Sequence, residues 1–360
     1  MCRSSNLKIN LRDLTLAEMK ELLQGLGEKP FRAEQVCRWV LAGGARSFAE
    51  MTNLSKELRA KLAEVAVISG TTGLARQVSR RGDTVKYLFG LEDGHAVESV
   101  LMKHSYGHSA CVSTQVGCRM GCQFCASTLE GLVRNLSPGE IYDQVLGIQQ
   151  DSGERVSHIV IMGAGEPLDN FAAVLKFLEN VHAPYGLNIG YRHITLSTCG
   201  LVPQLRELAR KKLPITLAIS LHAPTDELRN RLVPMNRRYP IQELLTACRE
   251  YIGMTGRRIT FEYALLAGVN DGPEQARQLL KLLQGMLCHV NVIPANPVEG
   301  RGFTRTPAEK VEAFRSILER GGLNVTVRRE LGADIDAACG QLRRRFESRE
   351  VRRERLEEKS

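Results

Sequence analysis

Cys118-Arg119-Met120-Gly121-Cys122-Gln123-Phe124-Cys125 is the stretch on which the reading of this sequence turns. Its spacing is C-x3-C-x2-C. Three thiolates in such a run can hold three irons of a four-iron cluster and leave the fourth iron open to another ligand. The alternative is a zinc site, with Cys111, His104 or His108 as the fourth ligand. Structural zinc sites usually draw their cysteines from separate knuckles, and this run is tighter than that.

Downstream of the run the pattern becomes strand, then helix, repeated. Candidate strands cover 158–162, 193–197, 215–220, 258–264, 289–294 and 324–328, with helical stretches such as 204–211, 241–251 and 273–283 between them. That alternation predicts a parallel sheet with helices outside it. About six repeats suit a partial α/β barrel, (β/α)6, better than a closed eight-fold one. Upstream, a strand around 110–115 leads into the cysteines. Segments 84–91 and 96–102 alternate as strands around Asp93-Gly94, a strong hairpin signal.

The first part of the chain reads as short helices. Thr15 with Glu18 forms a capping box, Gly25 and Gly27 can end that helix, Pro30 opens a second through Val40, and Ser55 caps a third to about Glu64. Lys29, Arg32, Lys56, Arg59 and Lys61 on these helices suit a solvated face or RNA contact equally well. The expected organisation is therefore α/β: a small helical domain over 1–68, a β-hairpin section over 69–115, the partial barrel over 116–342, and a charged helix or tail over 343–360.

With 360 residues, 43% of them hydrophobic, the chain can bury a sizeable core. Residues 1–10 are polar and lack a signal peptide's apolar stretch, and no run approaches bilayer length, so a cytoplasmic protein without membrane contact is expected. Ten cysteines in a long chain of this kind argue against a disulfide framework. A net charge of +9 favours a polyanionic partner such as nucleic acid. Aromatic residues make up only 5%, so phosphate contacts and shape, rather than a stacking platform, should carry RNA affinity.

The residues around the cysteine run resemble the RlmN/Cfr group of radical S-adenosylmethionine (SAM) RNA methyltransferases. The resemblance lies in Cys111-Val112-Ser113-Thr114-Gln115-Val116-Gly117, in Met162-Gly163-Ala164-Gly165-Glu166-Pro167-Leu168, in Ser220-Leu221-His222-Ala223-Pro224, and in the segment from Gly332 to Leu342 with its Asp334-Ile335-Asp336-Ala337-Ala338-Cys339-Gly340-Gln341 core. It extends to Phe31-Arg32-Ala33 and Met51-Thr52-Asn53-Leu54-Ser55 and so runs over nearly the whole chain. Ala164 stands where family members carry Met. The Glu166-Pro167 pair and Asp336 look closer to RlmN than to Cfr.

The resemblance implies a [4Fe–4S] cluster on Cys118, Cys122 and Cys125, and SAM contacts from Gly165, Glu166, Ser197, Ser220, Leu221, His222 and Asn296. Cys339 matches the cysteine that becomes S-methylated, Cys111 its resolving partner, and Glu98 the proton acceptor. Read without the resemblance, Glu98 is a solvated strand carboxylate, and the serines are ordinary turn residues.

The implied reaction uses two SAM molecules, one methylating Cys339 and one cleaved to a radical that activates that methyl group. The activated carbon adds to an adenine that has left its stack. The implied product is adenosine methylated at C2, in the peptidyl-transferase region of 23S rRNA and at position 37 of some tRNAs. A flavodoxin or ferredoxin would supply electrons. Cfr-like methylation at C8 of 23S rRNA is the alternative within the group. A non-catalytic metal-bearing RNA-binding protein is the alternative of another class.

Overall fold

A computed structural model describes residues 8–328, apart from positions 297 and 299, together with Ile335 and Leu342. The expected S-methylation site, Cys339, and the tail over 343–360 lie outside the described residues.

The chain opens with β1 (Ile9–Asn10) and three helices, α1 (Leu16–Gly25), α2 (Arg32–Cys37) and α3 (Lys56–Val65). The Thr15/Glu18 capping box is present, and Ser55 accepts from the Leu58 N–H at the start of α3. α2 continues into a π turn at Arg38–Ala42, so the helical stretch starting at Pro30 changes hydrogen-bond pattern before it ends. β2 (Ala66–Val67) pairs with β1 and closes this part.

Arg12 pins these helices to the rest of the molecule. Only 1% exposed, its guanidinium donates to the carbonyls of Val40, Ala45 and Ser69 and lies 2.7 Å from Asp143. Asp143 belongs to α4 (Pro138–Ser152), which a Ser137/Glu140 capping box opens and left-handed Gly153 closes. Of the basic residues expected to face outward, Lys61 pairs with Glu28 and Arg59 donates to the Ala49 carbonyl, while Lys29 and Lys56 are exposed.

The antiparallel strands are β3 (Thr72–Val78), β4 (Thr84–Gly90) and β5 (Ala96–His104). Gly94, at φ +84°, lets the expected β4–β5 hairpin turn. β3 escaped the sequence reading because it is a largely exposed edge strand without apolar alternation. The strand expected over 110–115 is two: β6 (Gly107–Cys111) and β7 (Gln115–Gly117). Between them residues 112–114 bond across to 163–164, which breaks the ladder. β8 (Leu132–Asn135), also unforeseen, pairs with β7 and brackets the cysteine loop.

The rest alternates as expected: β9 (Val156–Ile161), α5 (Phe171–His182), β10 (Ile194–Thr198), α6 (Val202–Lys211), β11 (Thr216–Ser220), α7 (Asp226–Leu232), α8 (Ile241–Thr255), β12 (Ile259–Leu265), α9 (Pro273–Leu283), β13 (Cys288–Pro294), α10 (Ala308–Arg320) and β14 (Val325–Val327). Among the described residues one ten-stranded sheet results, ordered β14-β13-β12-β11-β10-β9-β6-β5-β4-β3. Seven strands, β6 and β9 to β14, run parallel, with helices in each crossover. Each parallel strand lends a residue (Ser109, Val160, Thr195, Thr216, Thr260, His289, Thr326) to one cavity of about 920 Å³, so the sheet curves around it. The apolar core lies between the sheet's outer face and the helices, with Leu205, Leu244, Leu279 and Phe314 fully or almost fully buried on the helix side.

Candidate active site at the ends of the parallel strands

The cysteine loop begins where β7 ends. Gly117 sits at φ +77°, and a Cβ there would lie 2.0 Å from the Gly131 carbonyl oxygen, so only glycine lets β7 and β8 approach this closely. Cys118 N–H donates to that carbonyl, and Gln123 N–H donates to Leu232 at the end of α7. Thr128 Oγ1 donates to the carbonyls of Cys122 and Cys125, and Arg301 donates to the Cys125 carbonyl as well. The loop's backbone is thus held from several sides while its thiols remain free of disulfides.

Burial pushes the Cys118 thiol up to about 12 and raises the Cys122 thiol as well, and their mutual repulsion as thiolates, with Cys125, adds to this. Iron ligation offsets that cost, so loading releases protons. A four-iron cluster takes each thiolate on a different iron, so its cysteines need not converge on one point. Among the described residues no group of three or more His, Cys, Asp or Glu side chains converges on a single-ion position. His104 and His108 lie at the opposite end of β6 from the loop, which removes them as fourth ligands of a zinc site. The three cysteines fit the cluster.

Gly163 and Gly165 follow β9. A Cβ on Gly163 would lie 2.6 Å from the Val112 carbonyl oxygen, and one on Gly165 would lie 2.7 Å from the Gln115 Cβ. The first duty of both glycines is therefore to let this turn lie flat on residues 112–115. Glu166 is 4% exposed; its carboxylate accepts from the N–H groups of Leu168 and Cys199, tying the end of β9 to the end of β10, and burial raises its affinity for a proton.

Ser197 and Ser220 meet at 3.3 Å across β10 and β11. His222 is non-glycine yet sits at φ +58°. Its Nδ1 accepts from the Ala264 N–H at 3.0 Å, which leaves the neutral ring's proton on Nε2. Burial pushes the ring down to about 3, so it stays neutral at physiological pH. Its edge packs against Phe124 of the cysteine loop, with ring centroids 4.7 Å apart. Leu221 is fully buried, and Asn296 is exposed just past β13.

Arg229 went unnoticed in the sequence. It is 1% exposed and donates to the carbonyls of Cys199, Ser220 and Leu221 and to Asn236. Its cation favours the thiolate of Cys122. The only sequence signal was its place seven residues after His222, which is not a chemical pattern.

Glu98 is not a solvated strand carboxylate. It is 6% exposed, lies 2.9 Å from the Lys86 ammonium, and shares a small cavity with Gln115, Gly117, Ser127 and Ala164. Cys111 is buried at the end of β6, opposite Val100 on β5 and Val160 on β9. Leu342, three residues after Cys339 in sequence, packs on Leu88 and Ala96.

Comparison with known proteins shows the family. Residues 9–68 match the ribosomal RNA large subunit methyltransferase N-terminal domain, and residues 112–282 match the radical SAM superfamily. The probable dual-specificity RNA methyltransferase RlmN of Desulforamulus reducens is 72% identical over 97% of this chain and all of its own length. The corresponding protein of Pelotomaculum thermopropionicum is 65% identical over 94% of this chain and 92% of its own. A crystal structure of a radical SAM methyltransferase from Sphaerobacter thermophilus superimposes with a TM-score of 0.88, at 46% identity, covering 92% of this chain and 98% of that one. No helix among the described residues is long and apolar enough to cross a membrane. The chain belongs to the RlmN family, radical SAM enzymes that use a [4Fe–4S] cluster and SAM to methylate RNA.

Proposed function

We propose that this enzyme methylates C2 of an adenosine in the peptidyl-transferase region of 23S rRNA and of adenosine 37 in some tRNAs. Cys339 carries the methyl group, Cys111 resolves the adduct and Glu98 accepts the proton. The observation that carries this reading is the face shared by Glu98 and Cys111, next to the cysteine loop, on which Leu342 also packs. Leu342, three residues after Cys339 in sequence, packs on Leu88 and Ala96 of that face, which supports a place for Cys339 near Glu98 and Cys111.

Cys118, Cys122 and Cys125 hold the cluster, and reductive cleavage of SAM is the chemistry it supplies when bound. Ser197, Ser220, Leu221, His222, Asn296 and the Gly165–Glu166 turn form the SAM pocket at the strand ends, where curved parallel sheets place their active sites. His222 and Glu166 serve it through their fixed backbone, since the Glu166 carboxylate and the His222 Nδ1 already accept main-chain N–H groups. Glu98 takes the proton from the substituted adenine carbon. Cys111 thiolate then attacks the Cys339 sulfur, a disulfide forms, the C–S bond breaks, the released carbon takes up a proton, and the one unpaired electron left by radical addition would return to the electron-transfer chain that supplied it.

Residues 1–68 contribute phosphate contacts through exposed basic residues such as Lys29 and Lys56, and electrons come from a flavodoxin or ferredoxin in the cytoplasm. The test is mass spectrometry of nucleosides from 23S rRNA and tRNA treated with the reconstituted enzyme. 2-Methyladenosine in both is the expected result. 8-Methyladenosine, or unmodified RNA despite SAM cleavage, would overturn the reading.

A further inference from the structure

A fully buried lysine is rare and calls for a physical reason. Lys86 on β4 is 0% exposed, and its ammonium lies 2.9 Å from Glu98 on β5. The register aligns Lys86 with Val100 and Val100 with Cys111. Directly paired residues share a sheet face, and so does Glu98, two residues before Val100. Lys86, Glu98 and Cys111 therefore occupy one face of three adjacent strands. Lys86 and Cys111 are two strand spacings apart, about 10 Å between backbones, with Glu98 on the strand between them.

Among the described residues, the charges around Cys111 come from three elements. Burial opposes its thiolate most, Arg328 after β14, the Met162 backbone N–H and Lys86 on β4 favour it, and the Glu98 carboxylate opposes it. Arg328 also lies in the field of Glu262 on β12, which accepts from Asn291.

The ion pair is not needed to hold the hairpin. β4 and β5 are joined by continuous register from Thr84 to Gly90, and the other face of β4 is fixed by Tyr87, whose hydroxyl donates to Asp151, and by Phe89, packed against Gly147. Apolar residues in place of a buried ion pair are commonly neutral or stabilising. A charge retained here is better explained by what it faces.

We propose that Lys86 is a positioning residue for the methyl-transfer reaction: it orients the Glu98 carboxylate as proton acceptor and then serves as counter-charge to the Cys111 thiolate. This rests on the roles proposed above for Glu98 and Cys111. When Glu98 takes a proton from the adenine carbon it becomes neutral, and the field of Lys86 at Cys111 is no longer cancelled. The thiolate is favoured at the stage when it must attack sulfur. The protons balance, because Cys111 gives one up and the released carbon takes one up.

The experiment uses the reconstituted holoenzyme with SAM, a reductant and 23S rRNA. Lys86→Met should keep its iron and cleave SAM, yet yield about tenfold less methylated adenosine per 5′-deoxyadenosine, with protein–RNA adduct accumulating on denaturing gels. Raising the pH should recover part of that ratio, since Cys111 then ionises without help. Lys86→Arg should restore most of it at neutral pH. An unchanged ratio in Lys86→Met, or equal loss in Lys86→Arg with no recovery at high pH, would overturn the proposal. So would loss of iron from both Lys86→Met and Lys86→Gln, which would make Lys86 a residue of the fold. The underlying reading fails separately, if Glu98→Gln and Cys111→Ala turn over normally.

Discussion

Arg12–Asp143 and Lys86–Glu98 are both buried ion pairs, with side chains 1% and 5% exposed in the first and 0% and 6% in the second. The first joins residues 131 positions apart and fastens the N-terminal helices to α4, its guanidinium also donating to the carbonyls of Val40, Ala45 and Ser69. The second joins two strands that their backbone already holds in register, and it borders a small cavity beside the cysteine loop. The difference teaches that burial alone does not reveal a charge's purpose. What matters is whether the elements would separate without it, and what else the charges face.

The sharpest test of where the chemistry sits is also the largest expected effect. Cys118→Ala, Cys122→Ala or Cys125→Ala should abolish iron–sulfur absorbance and 5′-deoxyadenosine release, while the N-terminal helices stay folded by circular dichroism. Any of these variants cleaving SAM normally would undo the assignment of the loop.

Arg12→Met tests the other pole. It leaves the Asp143 carboxylate buried without its partner, and should cost about 3–5 kcal/mol by urea unfolding. Lys86→Met should cost clearly less, because continuous register still joins β4 to β5, whereas Arg12→Met also leaves the carbonyls of Val40, Ala45 and Ser69 without their donor. Equal losses in the two variants would erase the distinction. The Arg12 anchor also means that deleting residues 1–68 would not be a clean test of RNA binding.

Gly163→Ala lies between the poles. Its new Cβ must displace the Val112 carbonyl and Ser113, at about 1–3 kcal/mol, and SAM cleavage should fall along with stability. Stability lost with SAM cleavage unchanged would show that the turn serves packing alone. The smallest effect is expected for Lys29→Glu with Lys56→Glu. Both residues are exposed, so unfolding should not change, while RNA affinity should weaken severalfold at low salt and the salt slope should drop by about 2. An unchanged slope would return these lysines to the solvated face.

Much of this molecule was legible in local sequence because local physics dictates it. The Thr15/Glu18 box, the Asp93-Gly94 turn, the C-x3-C-x2-C run and the six downstream parallel strands each depend on residues within a few positions of one another. β3, β7 and β8 did not stand out, since an exposed edge strand and two short strands carry no strong apolar period. Family resemblance supplied Glu98 and Cys111 as names in a motif, without saying what surrounds them.

The sequence by itself determined the order of elements, the cysteine run and the family, because these rest on periodicity, turn chemistry and contiguous motifs. Only the tertiary structure decided that the antiparallel strands extend the parallel sheet, and that Gly163 and Gly165 make room for residues 112–115. It likewise decided that Arg229 gathers three carbonyls beneath the site, that Glu98 is buried, and that Lys86 pairs with Glu98 on the sheet face that also carries Cys111. The physical reason is common to them all. Burial, close approach and charge pairing are properties of atoms brought together from distant positions, and no local pattern encodes which distant partner a side chain will meet.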